Sequence, residues 1–232
     1  DILASRAGLS TVIWLSGAAG AILIDAGDGA LRDILTAGSP VDISELRGIF
    51  ITHGHFDHVG GLFSLLGFLR MIGREDPLPI HIPAGSREPL EIAGSFRNLY
   101  RGEIPFEMPI VELSGGESIG CGGFEIRAAE MIHCGSVAGG EILDRIPALA
   151  YRAGKGGESV VYSGDTGDCD ALRELVSGAD LALLDATYES SGEMAPEMLA
   201  KVHLAEDVAA EIGKSARNYL LIHRGTREER NS

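Results

Sequence analysis

The chain has 232 residues with 34 acidic against 19 basic side chains, a formal net charge of −15 and 45% hydrophobic residues. That length holds one large core, or two fused half-domains around a shared one, and the apolar content excludes a disordered chain. No apolar run approaches the roughly 20 residues needed to span a bilayer, and surfaces that bind long nucleic acid are normally basic, so both partners are disfavoured. Three cysteines, Cys121, Cys134 and Cys169, are odd in number and far apart. They argue against a disulfide framework and for a reducing cytoplasm. The chain does not begin with methionine, and it shows no basic, apolar and small-residue signal pattern.

In chain order, Ser10–Leu15 and Ala21–Asp25 read as strands joined by the small-residue turn Ser16–Gly20. Asp25 ends the second strand, where a carboxylate alone would cap a turn or the next helix. Ala30–Ala37 is a short helix, and Asp42–Arg47 turns into a strand at Ile49. That strand runs into His53-Gly-His55-Phe-Asp57-His58-Val-Gly-Gly61. As the strand unravels, alternation aims His53 and His55 to one side, while Asp57 and His58 reach a second point a few Å away. This is a two-metal geometry, and imidazole with carboxylate suits zinc, with manganese or iron as alternatives. The motif resembles the HxHxDH signature of the metallo-β-lactamase superfamily, matched by His53, His55, Asp57 and His58. The resemblance implies that Asp25 supports the metal loop from outside, orienting its histidines.

Gly60–Ile72, apolar at most positions, predicts a largely buried helix. Pro77–Pro83 is a short prolyl strand whose His81 reads as structural, and Ser86–Tyr100 is a helix. Residues 101–120 are loop and short strand. Phe124–Ile132 alternates as a strand and delivers His133, which the resemblance makes the third ligand of the first metal. Cys134–Arg145 is glycine-rich and short of periodicity, a loop longer than relatives carry before the strand Ile146–Arg152. It reads as an inserted substrate loop or a spacer.

The strand beginning at Ser159 ends at Asp165 among small residues, so its carboxylate can approach two cations at once. Asp168–Ala179 is the next helix, with Leu172, Leu175 and Val176 at helical spacing and Asp168 as its cap. Leu181–Asp185 is a buried strand, a helix is entered from His203 and runs to Ile212, and Asn218–His223 is a strand ending in the last candidate ligand. Six of the seven histidines therefore fall at strand ends or at the one helix entrance.

Assembled, metal one takes His53, His55 and His133, metal two takes Asp57, His58 and His223, and Asp165 bridges them with a hydroxide. Two such ions lower the pKa of a water toward neutrality and clamp both oxygens of an in-line displacement. No serine nucleophile stands in a GxSxG context. The segments Tyr162–Asp168, Leu183–Tyr188, Lys201–Ala205 and Leu221–His223 look like the ribonuclease Z-type phosphodiesterase branch over essentially the whole chain. In that branch His203 stabilises transferred charge or protonates the leaving oxygen, and Asp185 holds its tautomer. The candidate catalytic residues are thus Asp57, His203 and Asp185, with Asp57 also a ligand.

The chain departs from the branch in three places. Relatives have glutamate where Asp185 stands, so the shorter side chain is expected to need a water to reach His203. The span from His133 to Asp165 is only 32 positions, too few for the arm with which ribonuclease Z grips the tRNA elbow. After His223 come Arg224 and Arg227, read as a solvated charge cluster. With the acidic charge, these features favour a small phosphodiester as substrate. The alternatives are tRNA 3′ processing, ester, lactone or sulfate-ester hydrolysis, and a metal-binding protein without turnover. The expected fold is α/β (α+β), a four-layer αβ/βα metallo-β-lactamase sandwich. It forms one domain, 1–232, with halves at about 1–125 and 126–232, and homodimerisation is common in the branch.

Overall fold

The computed structural model describes residues 1–38, 41–136 and 141–225. They divide into two compact units, Asp1–Leu113 with Cys121–Gly123, and Ser114–Gly120 with the chain from Phe124 onward. Each unit carries a six-stranded mixed sheet with helices, as the mixed α/β class requires. No described helix is long and apolar enough to cross a membrane.

In the first unit the sheet runs in chain order through β1 (Ile2–Arg6), β2 (Ser10–Gly17), β3 (Gly20–Ile24), β4 (Leu46–Phe50), β5 (Ile80–Pro83) and β6 (Ile110–Leu113). The first three strands are antiparallel and the last four run parallel. All five residues of β3 are buried, the unbroken apolar run expected of a strand covered on both faces. Between the strands lie α1 (Ala30–Ala37), α2 (Phe56–Val59), α3 (Leu62–Met71) and α4 (Arg87–Leu99). Leu62, Leu65, Leu66 and Leu69 of α3 recur at the spacing that puts them on one buried face. Sequence periodicity missed β1. The metal loop, expected to be an unravelled strand, instead closes into the single turn of α2.

The second unit's sheet has the order β14 (Tyr219–Ile222), β13 (Leu181–Asp185), β12 (Glu158–Tyr162), β11 (Leu149–Lys155), β8 (Phe124–Glu130) and β7 (Ser118–Cys121). β12, β13 and β14 are mutually parallel, and β11 is antiparallel to both β12 and β8. It follows that β8 points the same way as β12, β13 and β14, and all four strands end at one rim, the edge at which ligands bind in open α/β sheets. α5 (Asp170–Val176) buries Leu172, Leu175 and Val176, as its spacing predicts. α6 (Pro196–Lys201) and α7 (Glu206–Gly213) complete the unit.

Three local expectations need correction. The helix expected from His203 begins only at Glu206, because Ala205 first makes a parallel bridge to Tyr188. Asp168 does not cap α5: Cys169 holds the cap position, and Asp168 forms a two-point pair with Arg173 at 3.0 and 2.7 Å. The segment read as a loop carries two short paired strands, β9 (Cys134–Ser136) and β10 (Ile142–Arg145); 137–140 lie outside the described residues. Arg224 is ion-paired with Glu206 at 3.3 Å, and Arg227 lies outside the described residues.

Candidate metal centre

In the first unit the site residues follow the carboxyl ends of β3 and β4. Asp25, fully buried, adopts a left-handed backbone (φ 61°) immediately after β3. Such a conformation costs a non-glycine residue about 1–3 kcal/mol and persists only where its surroundings hold it. Here the Asp25 N–H donates to the Phe50 carbonyl, 2.8 Å. Its carboxylate accepts the Thr52 N–H on Oδ1 at 2.8 Å, and on Oδ2 the Thr52 hydroxyl at 2.8 Å and His58 Nδ1 at 2.7 Å.

These bonds set the tautomers of two histidines. With its proton given to Asp25, the Thr52 hydroxyl oxygen accepts from His53 Nδ1, 3.1 Å away. Both His53 and His58 therefore carry their proton on Nδ1 and their lone pair on Nε2. The His53 Nε2 faces His55 Nδ1 at 3.0 Å, and the His58 Nε2 faces Asp57 Oδ2 at 3.7 Å. Imidazole nitrogens and a carboxylate oxygen brought this close are a donor set that suits a cation. Outer carboxylates that fix imidazole tautomers are the usual second layer of such sites. Asp57 Oδ2 is steadied by the Gly8 N–H, 2.9 Å away at the tip of the β1–β2 hairpin.

Glycine makes this approach possible. A Cβ on Gly27 would lie 2.1 Å from the Asp57 carbonyl oxygen, and one on Gly61 would lie 2.2 Å from the Gly27 carbonyl oxygen. The loop after β3 thus lies directly on the metal loop, joined by Ala26 N–H to His58 O, 2.8 Å, and Gly61 N–H to Ala26 O, 2.9 Å.

In the second unit the rim gathers His133 beyond β8, Asp165 beyond β12, Asp185 at the end of β13, His223 beyond β14, and His203 between α6 and α7. Ligand atoms of Asp165, Asp185, His203 and His223 all lie within 4.8 Å of one another. The His133 ring centroid is 5.3 Å from that of His203, and its Nδ1 donates to the Val202 carbonyl at 2.8 Å, leaving the lone pair on Nε2. Asp185 is fully buried. Its Oδ2 accepts His203 Nδ1 at 2.9 Å, so no water is needed between them, contrary to the expectation from the shorter side chain. Its Oδ1 accepts the Thr187 N–H at 3.1 Å and the Thr187 hydroxyl at 2.8 Å.

Burial alone would lower the pKa of His203, but the adjacent Asp185 charge and hydrogen bond outweigh it and raise the imidazole above its ordinary value. For Asp185 burial acts upward, and His203 outweighs it, holding the carboxyl below the usual range. Burial and the Asp185 charge push the Tyr188 phenol up to about 12, so this ring, edge-on to His203 at 5.7 Å, stays neutral.

The candidate ligands and catalytic residues thus stand at or just beyond strand ends, except Asp57 and His58, which lie in the turn of α2, and His203, which lies between α6 and α7. His81 does not join them. It is buried in β5, stacked on Phe50 at 4.2 Å, without a side-chain hydrogen bond and with its pKa lowered to about 4 by burial, as its structural reading implies. Sequence reasoning missed Thr52 and Thr187. For Thr187 the available signal was a short polar residue two after a strand-ending aspartate, the spacing at which a threonine hydroxyl returns to a carboxylate; Thr52 carried no local signal, because its aspartate lies 27 positions away.

Residues 21–224 match the model of the beta-lactamase superfamily domain. The chain is 27% identical over 246 aligned positions to a ribonuclease Z of Methanosarcina acetivorans, covering 89% of this chain and 78% of that one. Among solved structures it resembles the short form of human tRNase Z, at a TM-score of 0.78 and 21% identity over 98% of this chain and 93% of that one. It also resembles a diphosphatase of the PhnP family, at 0.66 and 22% over 94% and 74%. With its ligand-type histidines and aspartates at the strand ends, and the family model spanning most of its length, the chain belongs to the beta-lactamase superfamily and resembles its ribonuclease Z-like members.

Proposed function

We propose that the chain is a phosphodiesterase of the ribonuclease Z-like type that cleaves a small or short phosphodiester. Family membership makes it a metal-dependent hydrolase. In our reading the two units act as one domain. His53, His55, His133 and Asp165 hold one divalent cation, and Asp57, His58, Asp165 and His223 hold a second. Zinc fits these nitrogen and oxygen donors best, with manganese or iron as alternatives. When bound, such a pair lowers the pKa of a water and neutralises charge on a phosphoryl group.

The protein's own part is proton transfer and orientation. The observation that carries the reading is the 2.9 Å bond between His203 Nδ1 and Asp185 Oδ2. It leaves His203 Nε2 to hand a proton to the departing oxygen, while Asp185 fixes the ring and compensates its positive charge. His203 keeps 16% of its side-chain surface exposed, the access a leaving group needs. A buried carboxylate behind a partly open imidazole suits proton transfer to a group arriving from solvent.

Two features support a small substrate over a long one: the net charge of −15 and the span of only 32 positions from His133 to Asp165, which leaves no room for a tRNA-gripping arm. The name of the diphosphatase neighbour points the same way. The names of the ribonuclease Z relatives favour tRNA 3′ processing instead. Three free cysteines are in keeping with a reducing cytoplasm.

Assaying 2′,3′- and 3′,5′-cyclic nucleotides, bis-p-nitrophenyl phosphate and precursor tRNA side by side, with wild type and His203→Ala, tests the reading. We expect turnover of the small diesters, abolished by chelation and lowered by about 10²–10⁴ in kcat by the substitution. Activity confined to precursor tRNA would reverse the substrate preference. Carboxylic-ester or lactone turnover that survives His203→Ala would replace phosphodiester chemistry altogether.

A further inference from the structure

We propose that Thr187 is a positioning residue that couples the metal ligand His223 to the proton-transfer pair His203–Asp185 through one hydroxyl group. The inference rests on the roles given above to His223 and His203. It goes beyond them in assigning a single side chain the task of holding both in register.

Three contacts of one oxygen carry the argument. Thr187 Oγ1 lies 2.8 Å from Asp185 Oδ1, 2.9 Å from the His223 carbonyl oxygen and 3.2 Å from His223 Nδ1. The hydroxyl has one proton, which goes to the carboxylate or to the carbonyl. Its lone pairs are then left to accept from His223 Nδ1. Two carboxylate oxygens also face that nitrogen, Asp165 Oδ1 at 3.3 Å and Asp185 Oδ1 at 3.7 Å. Whichever takes the proton, it sits on Nδ1, and His223 presents its lone pair on Nε2.

The backbone gives the contact further weight. His223 has φ 55°, and it shares with Asp25 alone, among the described non-glycine residues, a left-handed conformation. A histidine does not hold that conformation unaided. The Thr187 hydroxyl reaches both the carbonyl of this strained residue and its ring, so one side chain fixes where the ring starts and how it is turned.

On the other side, Asp185 Oδ1 is also bound by the Thr187 N–H at 3.1 Å. This two-point grip turns Oδ2 toward His203. Because the side chain here is aspartate, it has no spare methylene with which to find His203 by itself. The Thr166 and Leu204 N–H groups reach Oδ2 only at 3.4 Å, so the shortest bonds that set the carboxylate's orientation, apart from that to His203 itself, come from Thr187, two residues along the same chain.

The test compares Thr187→Val, which keeps the shape and loses the hydroxyl, with Thr187→Ser, which keeps the hydroxyl. Zinc content under a graded chelator and steady-state turnover of bis-p-nitrophenyl phosphate are both measured, with Thr187→Ala as a second hydroxyl-free variant should the valine variant fail to fold. We expect the hydroxyl-free variants to lose one of two zinc equivalents at about 10–100-fold lower chelator strength than wild type. At saturating zinc they should still show kcat at least about fivefold down with KM little changed, and serine should restore both to within about threefold. Wild-type zinc retention and kcat in the folded valine or alanine variant would overturn the proposal, as would a serine variant as impaired as valine. If wild type binds no pair of ions, or His203→Ala turns over at full rate, the underlying reading fails instead, and the two failures are told apart.

Discussion

The two units solve the same local problem with the same pair of residue types, yet they place the pair differently. In the first, Asp25 and Thr52 come from neighbouring parallel strands and fix the tautomers of His53 and His58, with all four side chains fully buried. In the second, Asp185 and Thr187 come from one strand end and fix His223 and His203, where His203 keeps 16% of its side-chain surface exposed. A dry aspartate–threonine pair can only hold its histidines still. A pair opening on solvent can hold one histidine as a ligand and leave the other to exchange a proton. In the proposed reading the same hydrogen-bonding device serves support in one half and chemistry in the other, and the difference in burial is what separates them.

The comparison breaks most sharply at the two aspartates. Asp25→Ala strands the Thr52 N–H, the Thr52 hydroxyl and His58 Nδ1 where no water reaches, and each stranded buried group costs about 1–3 kcal/mol. We expect a loss of about 3–5 kcal/mol in denaturant unfolding together with failure to retain metal. Asp185→Ala should cost less in stability, because its two shortest partners, His203 and Thr187, are both partly exposed, while lowering turnover by up to as much as removing His203 does. Equal stability losses in the two variants would erase the distinction between a dry and an open pair.

A smaller effect comes from the close approach that seats the first pair. In Gly27→Ala the new methyl would fall 2.1 Å from a backbone oxygen of the metal loop and 2.6 Å from the Thr11 nitrogen. Neither neighbour is a flexible side chain, so the loops must part. Overpacking of this kind costs about 1–3 kcal/mol. The expected signature is metal retention that falls along with the melting temperature; unchanged zinc affinity would show that the contact does not seat the metal loop.

The last effect concerns His81, a buried histidine that joins neither pair and lies apart from the candidate ligands. Burial lowers the His81 pKa to about 4 from an ordinary 6.5, so the folded state binds its proton less readily than the unfolded chain does. Its contribution to stability is complete above pH 6.5 and is lost as pH falls from there toward 4, by about 3 kcal/mol. His81→Leu should flatten that part of the stability profile, measured as melting temperature between pH 7 and pH 4.5. An unaltered slope would mean that His81 meets a proton acceptor in the fold.

Much of this was legible from residue order, and particular elements show why. The His53–His58 motif is local: four ligand types in six positions need no distant partner to be recognised. The same holds for α3, whose leucines report their own buried face, and for His223 and Asp165, which end apolar runs. By contrast, β1 packs one sheet edge without strong alternation, and β9 and β10 are three and four residues long, too short for a period to emerge. The start of α7 depends on a bridge between Tyr188 and Ala205, residues far apart in the chain, so no local signal could mark it.

What residue order determined by itself was chemical kind and approximate place: which side chains can bind a cation, and that each stands where a strand stops. What only the tertiary structure decided was orientation. Asp25 reaches Thr52 across 27 positions of sequence, and Asp185 reaches His203 across 18. Whether such an aspartate caps a turn or turns an imidazole depends on which atoms lie within about 3 Å of it. Hydrogen bonds are directional and short, so that choice is made only when the strands have been laid side by side.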